Sequence, residues 1–182
     1  IQVIKEYLAP IVLGNDWTPD GVHAAMKVVR GHHIARASVG TAVLDVWLRR
    51  ASTSLGDYLG ATRAEVDCGV SVGIPTSESI EDLLEEVGMY VDAGYRRIKL
   101  KIEPGWDIEP VAVVRERWPT IPLQVDANQA YSREHAHHLA RLDEFDLLLI
   151  EQPLEEEDWW GHTLIARACS TPICLDESIL ST

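Results

Sequence analysis

Residues 97–102 read Arg97-Ile98-Lys99-Leu100-Lys101-Ile102. In an extended chain successive side chains alternate, so Lys99 and Lys101 share one face while Ile98, Leu100 and Ile102 share the other. An open parallel sheet is covered by helices on both faces, which leaves two such lysines no tolerable place. A barrel accommodates them: the apolar face meets the outer helices and the lysines point into the lumen. Ammonium groups buried there require carboxylate partners, because stripping the partner from a buried charge costs about 3–5 kcal/mol. The competing reading, an exposed edge strand guarded by lysines, would make the acids on the following strands a coincidence.

The surrounding sequence supplies the rest of a barrel pattern. From residue 66 onward the spacing predicts strands at 69–74, 97–102, 123–127, 147–150 and 173–175. Between them it predicts helices over 79–92, 108–117, 132–144 and 158–168. Strand centres recur about every 25 residues, the period of a βα unit with short loops. Before residue 66 the pattern is helical throughout. Thr18 caps a helix that Pro19 begins and Gly31 closes, a second helix spans 34–51 although Gly40 weakens it, and 54–60 forms a short turn. The expected fold is therefore α/β, a partial (β/α)8 TIM-type barrel of about five strands over 66–182, preceded by a helical piece over 1–65.

Three acids follow the lysine strand at a fixed interval. Asp126, Glu151 and Asp176 lie 25 residues apart, each just past the apolar part of its strand. Such positions sit at the C-terminal ends of neighbouring strands, where barrel active sites are built. Convergent carboxylates repel unless neutralised, and oxygen-only ligation with open positions suits Mg2+. A carbon acid alpha to a carboxylate is too weak for an unaided side chain to deprotonate at neutral pH. A metal that stabilises the resulting enediolate, together with a lysine base, makes the step feasible. The neighbouring lysine and the metal are expected to lower the pKa of that base.

Composition narrows the function classes further. The 182 residues carry 16 Lys and Arg against 29 Asp and Glu, a net charge of −13. That balance disfavours nucleic-acid backbones and anionic membrane surfaces. Hydrophobic residues make up 46% of the chain, enough for a sizeable core. The three cysteines, Cys68, Cys169 and Cys174, show no paired spacing, which argues against a disulfide framework and for a reducing, cytoplasmic location. No apolar run approaches the ~20 residues of a membrane span.

The segment from Arg97 onward resembles the muconate-lactonizing-enzyme branch of the enolase superfamily, and within it the o-succinylbenzoate synthases that overlap with N-acylamino acid racemases. The matching stretches are Lys99-x-Lys101, Gln124-Val125-Asp126-Ala127-Asn128, Leu149-Ile150-Glu151-Gln152-Pro153-Leu154 and Pro172-Ile173-Cys174-Leu175-Asp176-Glu177-Ser178. Residues before 66 resemble, more loosely, the end of that family's capping domain. The resemblance implies Asp126, Glu151 and Asp176 as ligands of Mg2+, or of another divalent cation such as Mn2+. It implies Lys101 as the acid/base, Lys99 near the substrate carboxylate, and Asn128 and Glu177 as supporting residues around them.

The implied substrate is a small-molecule carboxylate, and the implied reaction is dehydration to o-succinylbenzoate on the way to menaquinone. N-acylamino acid racemisation is the close alternative, with dipeptide epimerisation or muconate cycloisomerisation further off. A homo-oligomer is expected, with neither nucleic acid nor membrane as partner. The family has a further catalytic lysine on a sixth strand, and N-terminal strands whose loops close over the substrate. Ile1 at the start and Thr182 just past the fifth strand suggest truncation at both sides, so these residues alone are expected to be inactive. A non-catalytic remnant is the alternative of a different class.

Other features read as structural. His135, His137 and His138 are expected on the solvated face of a surface helix, and His32-His33 at a helix junction. Glu155 to Asp158 is expected to enrich a helix start in negative charge, and Trp159 and Trp160 to pack, with room for one of them to be partly exposed.

Overall fold

The structure is a computed structural model that describes residues 1–180. The chain divides into two compact units, Ile1–Glu65 and a second beginning at Val66.

The first unit is helical. A π-helical stretch, Ile4–Leu8, runs into α1 (Ala9–Val12), followed by α2 (Pro19–Met26), α3 (His33–Arg50) and α4 (Leu55–Tyr58). Thr18 accepts a hydrogen bond from Gly21 N, so the predicted cap forms, and Ser54 does the same for Asp57 N at the start of α4. Leu8, Val22 and Met26 form the unit's core with Trp17, Val39 and Val43 against them. Gly40 does not weaken α3: a Cβ there would lie 2.6 Å from the His23 ring, so glycine lets α2 and α3 approach. Helix α2 stops at Met26, short of Gly31, because Lys27 N bonds only three residues back, to Ala24 O.

The second unit alternates β1 (Gly69–Val72), α5 (Ile80–Asp92), β2 (Arg97–Lys101), α6 (Ile108–Arg117) and β3 (Leu123–Asp126). It continues with α7 (Ala136–Leu139), β4 (Ile150–Glu151), α8 (Trp159–Ala168) and β5 (Ile173–Cys174). The five strands are parallel and lie in sequential order β1-β2-β3-β4-β5. A doubly wound sheet reverses its strand order at a switch point; this one never does, so right-handed crossovers place every helix on the same face. Val72, Ile98, Leu100, Leu123, Val125 and Ile150 join the helix residues Leu83, Val87, Val111, Val114, Leu139 and Ile165 in one core. The fold is a partial (β/α)8 barrel, and β2 lies between β1 and β3, which removes the edge-strand reading of the lysines.

Three local expectations are corrected. The helix expected over 132–144 is broken into 3-10 turns at Arg133–His135 and Ala140–Phe145 on either side of α7. Its end is pulled out of α geometry from two sides. The Asp143 carboxylate accepts from the backbone of Ser170 and Thr171, and the Arg115 guanidinium donates to the carbonyls of Phe145 and Asp146. Regular β4 is confined to Ile150–Glu151, although Leu148 N already bonds to Leu123 O. Trp159 and Trp160 are 55% and 58% exposed, because they occupy the outer first turn of α8, whose buried face is Gly161, His162 and Ile165.

Candidate active site

Parallel pairing sets the level of each polar side chain. Lys101 lies beside Asp126, Asp126 beside Glu151, and Glu151 beside Cys174; one step back along the strands, Lys99 lies beside Gln124. Period-two alternation then puts Lys99, Lys101, Gln124, Asp126 and Glu151 on the face opposite the helix-packed core. Four of these were singled out in the sequence, Lys99, Lys101, Asp126 and Glu151, and the structure brings them onto one face; Gln124 was not.

The lysines and acids form one charged cluster. Lys99 Nζ lies 3.0 Å from both Asp126 Oδ2 and Glu151 Oε1, and Lys101 Nζ lies 2.6 Å from Asp126 Oδ2. Lys101 also donates to Asn128 Oδ1, and Asn128 Nδ2 donates to Glu177 Oε1 at 3.2 Å. Asp126 is only 2% exposed. Burial pushes its carboxyl up, but hydrogen bonds from Lys101, Lys99 and the Asn128 backbone outweigh this and hold it below the usual range. The Lys99 ammonium shifts the other way. Burial there acts downward, yet hydrogen bonds to Glu151 and Asp126 raise the ammonium above its ordinary value.

These opposite shifts have a pH signature. Asp126, depressed, contributes stability above its unfolded value of about 4 that is lost as pH falls through the lower folded value. Lys99, raised, contributes stability that is complete below its unfolded value of about 10.4 and is lost as pH rises through the higher folded value. Thermal melts against pH are expected to show both limbs, with Lys99→Met flattening the alkaline one. An unchanged alkaline limb in that variant would contradict the pairing.

Asp176 departs from its expected level. The ladder pairs Glu151 with Cys174, and Asp176 lies two residues further along, exposed, beyond the end of β5. Among the described residues, no three Asp, Glu, His or Cys side chains are gathered closely enough to hold one metal ion. The physical reason is that Lys99 and Lys101 draw Asp126 and Glu151 to themselves, whereas Asp176 is held through its backbone. Its N–H donates to Gln152 Oε1 at 2.8 Å.

Gln152 was not singled out in the sequence, although it directly follows Glu151. Fully buried, it donates to Leu154 O and Ser178 Oγ and accepts from the N–H groups of Asp176 and Ser178. It thereby suspends the loop carrying Asp176 and Glu177 from the end of β4. Gln124 is also buried, donating weakly to Glu151 Oε2 at 3.4 Å, while its Oε1 has no hydrogen-bond partner among the described residues. Backbone strain collects at the same strand ends. Asn128, Gln129 and Gln152 adopt φ of 40°, 70° and 37°, left-handed values that cost non-glycine residues about 1–3 kcal/mol each.

The expectation of a solvated face is corrected at His135 and His138, while His137 is exposed. His138 Nε2 donates to Asp107 Oδ2 at 2.7 Å, and Tyr131 OH donates to the same oxygen at 2.9 Å. Asp107 and Tyr131 are buried, and burial beside the Asp107 charge pushes the Tyr131 phenol up. His135 accepts from Ser132 N and completes a capping box. The role of His138 emerges only from pairing across loops, whereas His135 bonds within its own turn, three residues from Ser132. The Glu155 to Asp158 run does serve a helix start: Asp158 caps α8 through Gly161 N and pairs with Arg133.

The Enolase C-terminal domain-like family matches residues 82–182, more than half of the chain. An N-succinylamino acid racemase from an Amycolatopsis species is 54% identical over 182 residues, covering 99% of this chain and 49% of the relative. An o-succinylbenzoate synthase from Enterococcus faecalis is 40% identical over 180 residues, covering 98% of this chain and 48% of the relative. A racemase from Streptomyces coelicolor A3(2), solved with bound magnesium, matches with a TM-score of 0.85 at 26% identity, over 98% of this chain and 53% of that one. The chain thus spans about half the length of the curated relatives it matches. Five parallel strands in sequential order, polar groups confined to one face and a family match over the same segment lead to one assignment: the chain belongs to the enolase superfamily, in its muconate-lactonizing-enzyme branch.

Proposed function

We propose that this chain carries the proton-abstracting and cation-binding part of an enzyme that removes the proton alpha to a carboxylate. The observation that carries the proposal is the lysine and acid cluster at the strand ends, where one ammonium nitrogen is held 3.0 Å from two different carboxylates. Residues 1–65 are proposed as the helical part of a capping domain, and residues from 66 on as the first five strands of the barrel.

The residues fit a hard divalent cation. Asp126 and Glu151 already converge on one positive centre, every donor in the set is oxygen, and Glu177 Oε2 is buried with no hydrogen-bond partner among the described residues. Asp126, Glu151 and Asp176 would hold Mg2+, the ion bound in the Streptomyces coelicolor racemase structure. Once bound, Mg2+ supplies positive charge to the substrate carboxylate as negative charge develops there.

The chain's own residues do the rest. Lys101 takes the alpha proton on Nζ, for which it must be neutral and released from Asp126; Asn128 Oδ1 remains to orient the amine. Lys99, beside Gln124 and one step below, donates to the substrate carboxylate. Around these groups the Gln152 bonds hold the loop of Asp176 and Glu177 in place.

The substrate is proposed to be a succinyl-bearing small carboxylate. Two outcomes share the first step: loss of water to o-succinylbenzoate, and return of the proton to the opposite face of an N-succinylamino acid. The 54% identity to a racemase, against 40% to a synthase, favours the second. Reprotonation then needs an acid on the other face, the sixth-strand lysine that the family resemblance implies. Incubating the complete gene product with a single enantiomer of an N-succinylamino acid is expected to give racemic product by chiral chromatography. Retained enantiomeric purity with rapid formation of o-succinylbenzoate from its hydroxylated precursor would restore the synthase outcome.

A further inference from the structure

Two loops leave the strands that bear the reacting groups. The first, after β2, is pinned by reciprocal backbone hydrogen bonds between Glu103 and Trp106 and ends at Asp107, whose Oδ1 accepts from Ile108 N and starts α6. The second, after β3, passes through the left-handed pair Asn128 and Gln129 and ends at the buried Tyr131.

Asn128 itself is exposed, so packing does not place the amide that contacts Lys101. Its position comes from the loop's ties. Gln129 N and Tyr131 N bond to the carbonyls of Gln152 and Pro153, Ala130 N bonds to Ala127 O, and Asn128 N bonds to Asp126 Oδ1. The far end is tied by a side chain, since the Tyr131 hydroxyl crosses to Asp107 Oδ2, where His138 Nε2 also donates. Three side chains from the β2–α6 loop, the β3–α7 loop and α7 therefore meet at one buried carboxylate, outside the charged cluster.

We infer that Asp107, Tyr131 and His138 form a latch between these two loops that positions Asn128 and, through it, the Lys101 amine. Asp107 is its hub, Tyr131 is the positioning residue on the strained loop, and His138 braces the hub from α7. None of the three touches the reacting atoms. Without the Tyr131 hydroxyl the left-handed pair keeps its backbone ties but loses its link to the loop of β2, and Asn128 can drift from Lys101. The inference rests on the proposed role of Lys101 as base.

Tyr131→Phe keeps the ring and its burial and removes only the hydroxyl. In the complete gene product, kcat for alpha-proton exchange is expected to fall about tenfold with KM within about twofold, a misplacement effect. A merely structural contact would lower the melting temperature and leave kcat per folded molecule unchanged, and that result would overturn the inference. His138→Gln retains an N–H within reach of Asp107 and is expected to hold kcat within about twofold, whereas His138→Leu is expected to lower it like Tyr131→Phe. If Tyr131→Phe does not fold, the histidine pair decides: equal kcat for Gln and Leu would overturn the latch. Lys101→Ala in the same assay separates the two proposals. If it retains exchange, the role of Lys101 fails; if it loses exchange while Tyr131→Phe and His138→Leu match the wild type, the latch alone fails.

Discussion

Lys101→Ala is expected to lower alpha-proton exchange by about 10²–10⁴-fold, the usual cost of losing a general base. The fold should survive the change. Lys101 is only partly buried, and Lys99 still stands 3.0 Å from both Asp126 and Glu151, so the acids keep a cationic partner. The apolar face of β2, formed by Ile98 and Leu100, is untouched. Lys101→Arg should not rescue exchange, because a guanidinium does not deprotonate under these conditions and cannot act as base. Exchange retained within ~10-fold in Lys101→Ala, measured by deuterium incorporation, would remove this residue from the role of base.

Asp126→Asn is expected to act on stability and metal affinity together. Asp126 is the most buried charge of the cluster and accepts from both lysines and from the Asn128 backbone. Removing its charge weakens bonds to two ammonium groups that lie two residues apart on β2. The expected loss is about 1.5–3 kcal/mol, the range for hydrogen bonds to charged groups. It is smaller than for a fully buried pair, because both lysine side chains reach solvent. The Mg2+ concentration for half-saturation should rise at least ~10-fold, since one of the three proposed anionic ligands is neutralised. Denaturant melts and calorimetric Mg2+ titration of the complete gene product check the two halves separately. Unchanged Mg2+ affinity would contradict the ligand role even if stability fell.

The parts of this molecule that were legible in the sequence rest on periodicity. Alternation along 97–102 put Lys99 and Lys101 on one face, and the recurring βα interval put Asp126 and Glu151 on the two strands that follow. The caps at Thr18 and Ser79 were legible as residues that start their helices, and both accept from the first turn; Ser54 and Asp158 cap likewise but were not read as caps. At Asp176 the ladder level differs from that of Asp126 and Glu151. Counting residues assumes equal strand lengths, but β5 is two residues long and the chain turns after it, so Asp176 falls beyond the ladder position beside Glu151.

Features that depend on contacts across loops were not legible. Nothing local to Gln152 announces that it carries four hydrogen bonds to the end of its own strand and to the loop after β5. His138 looks like one of three surface histidines until Asp107, 31 residues away, is brought against it. The break in the helix expected over 132–144 has the same origin. Its periodicity is helical, yet Arg115 and the backbone at Ser170 and Thr171 capture its last turn. The upward shift of the Lys99 amine likewise follows from contacts across strands, two carboxylates standing at hydrogen-bond distance.

The most direct test of the central claim is wash-in of solvent deuterium at the alpha carbon of an N-succinylamino acid. It is followed by proton NMR in 2H2O with the complete gene product, first with Mg2+ and then after chelation. Exchange is expected to require Mg2+, to return when the ion is restored and to be lost in Lys101→Ala. Exchange that persists at the same rate in chelator, or in the Lys101→Ala protein, would contradict the claim.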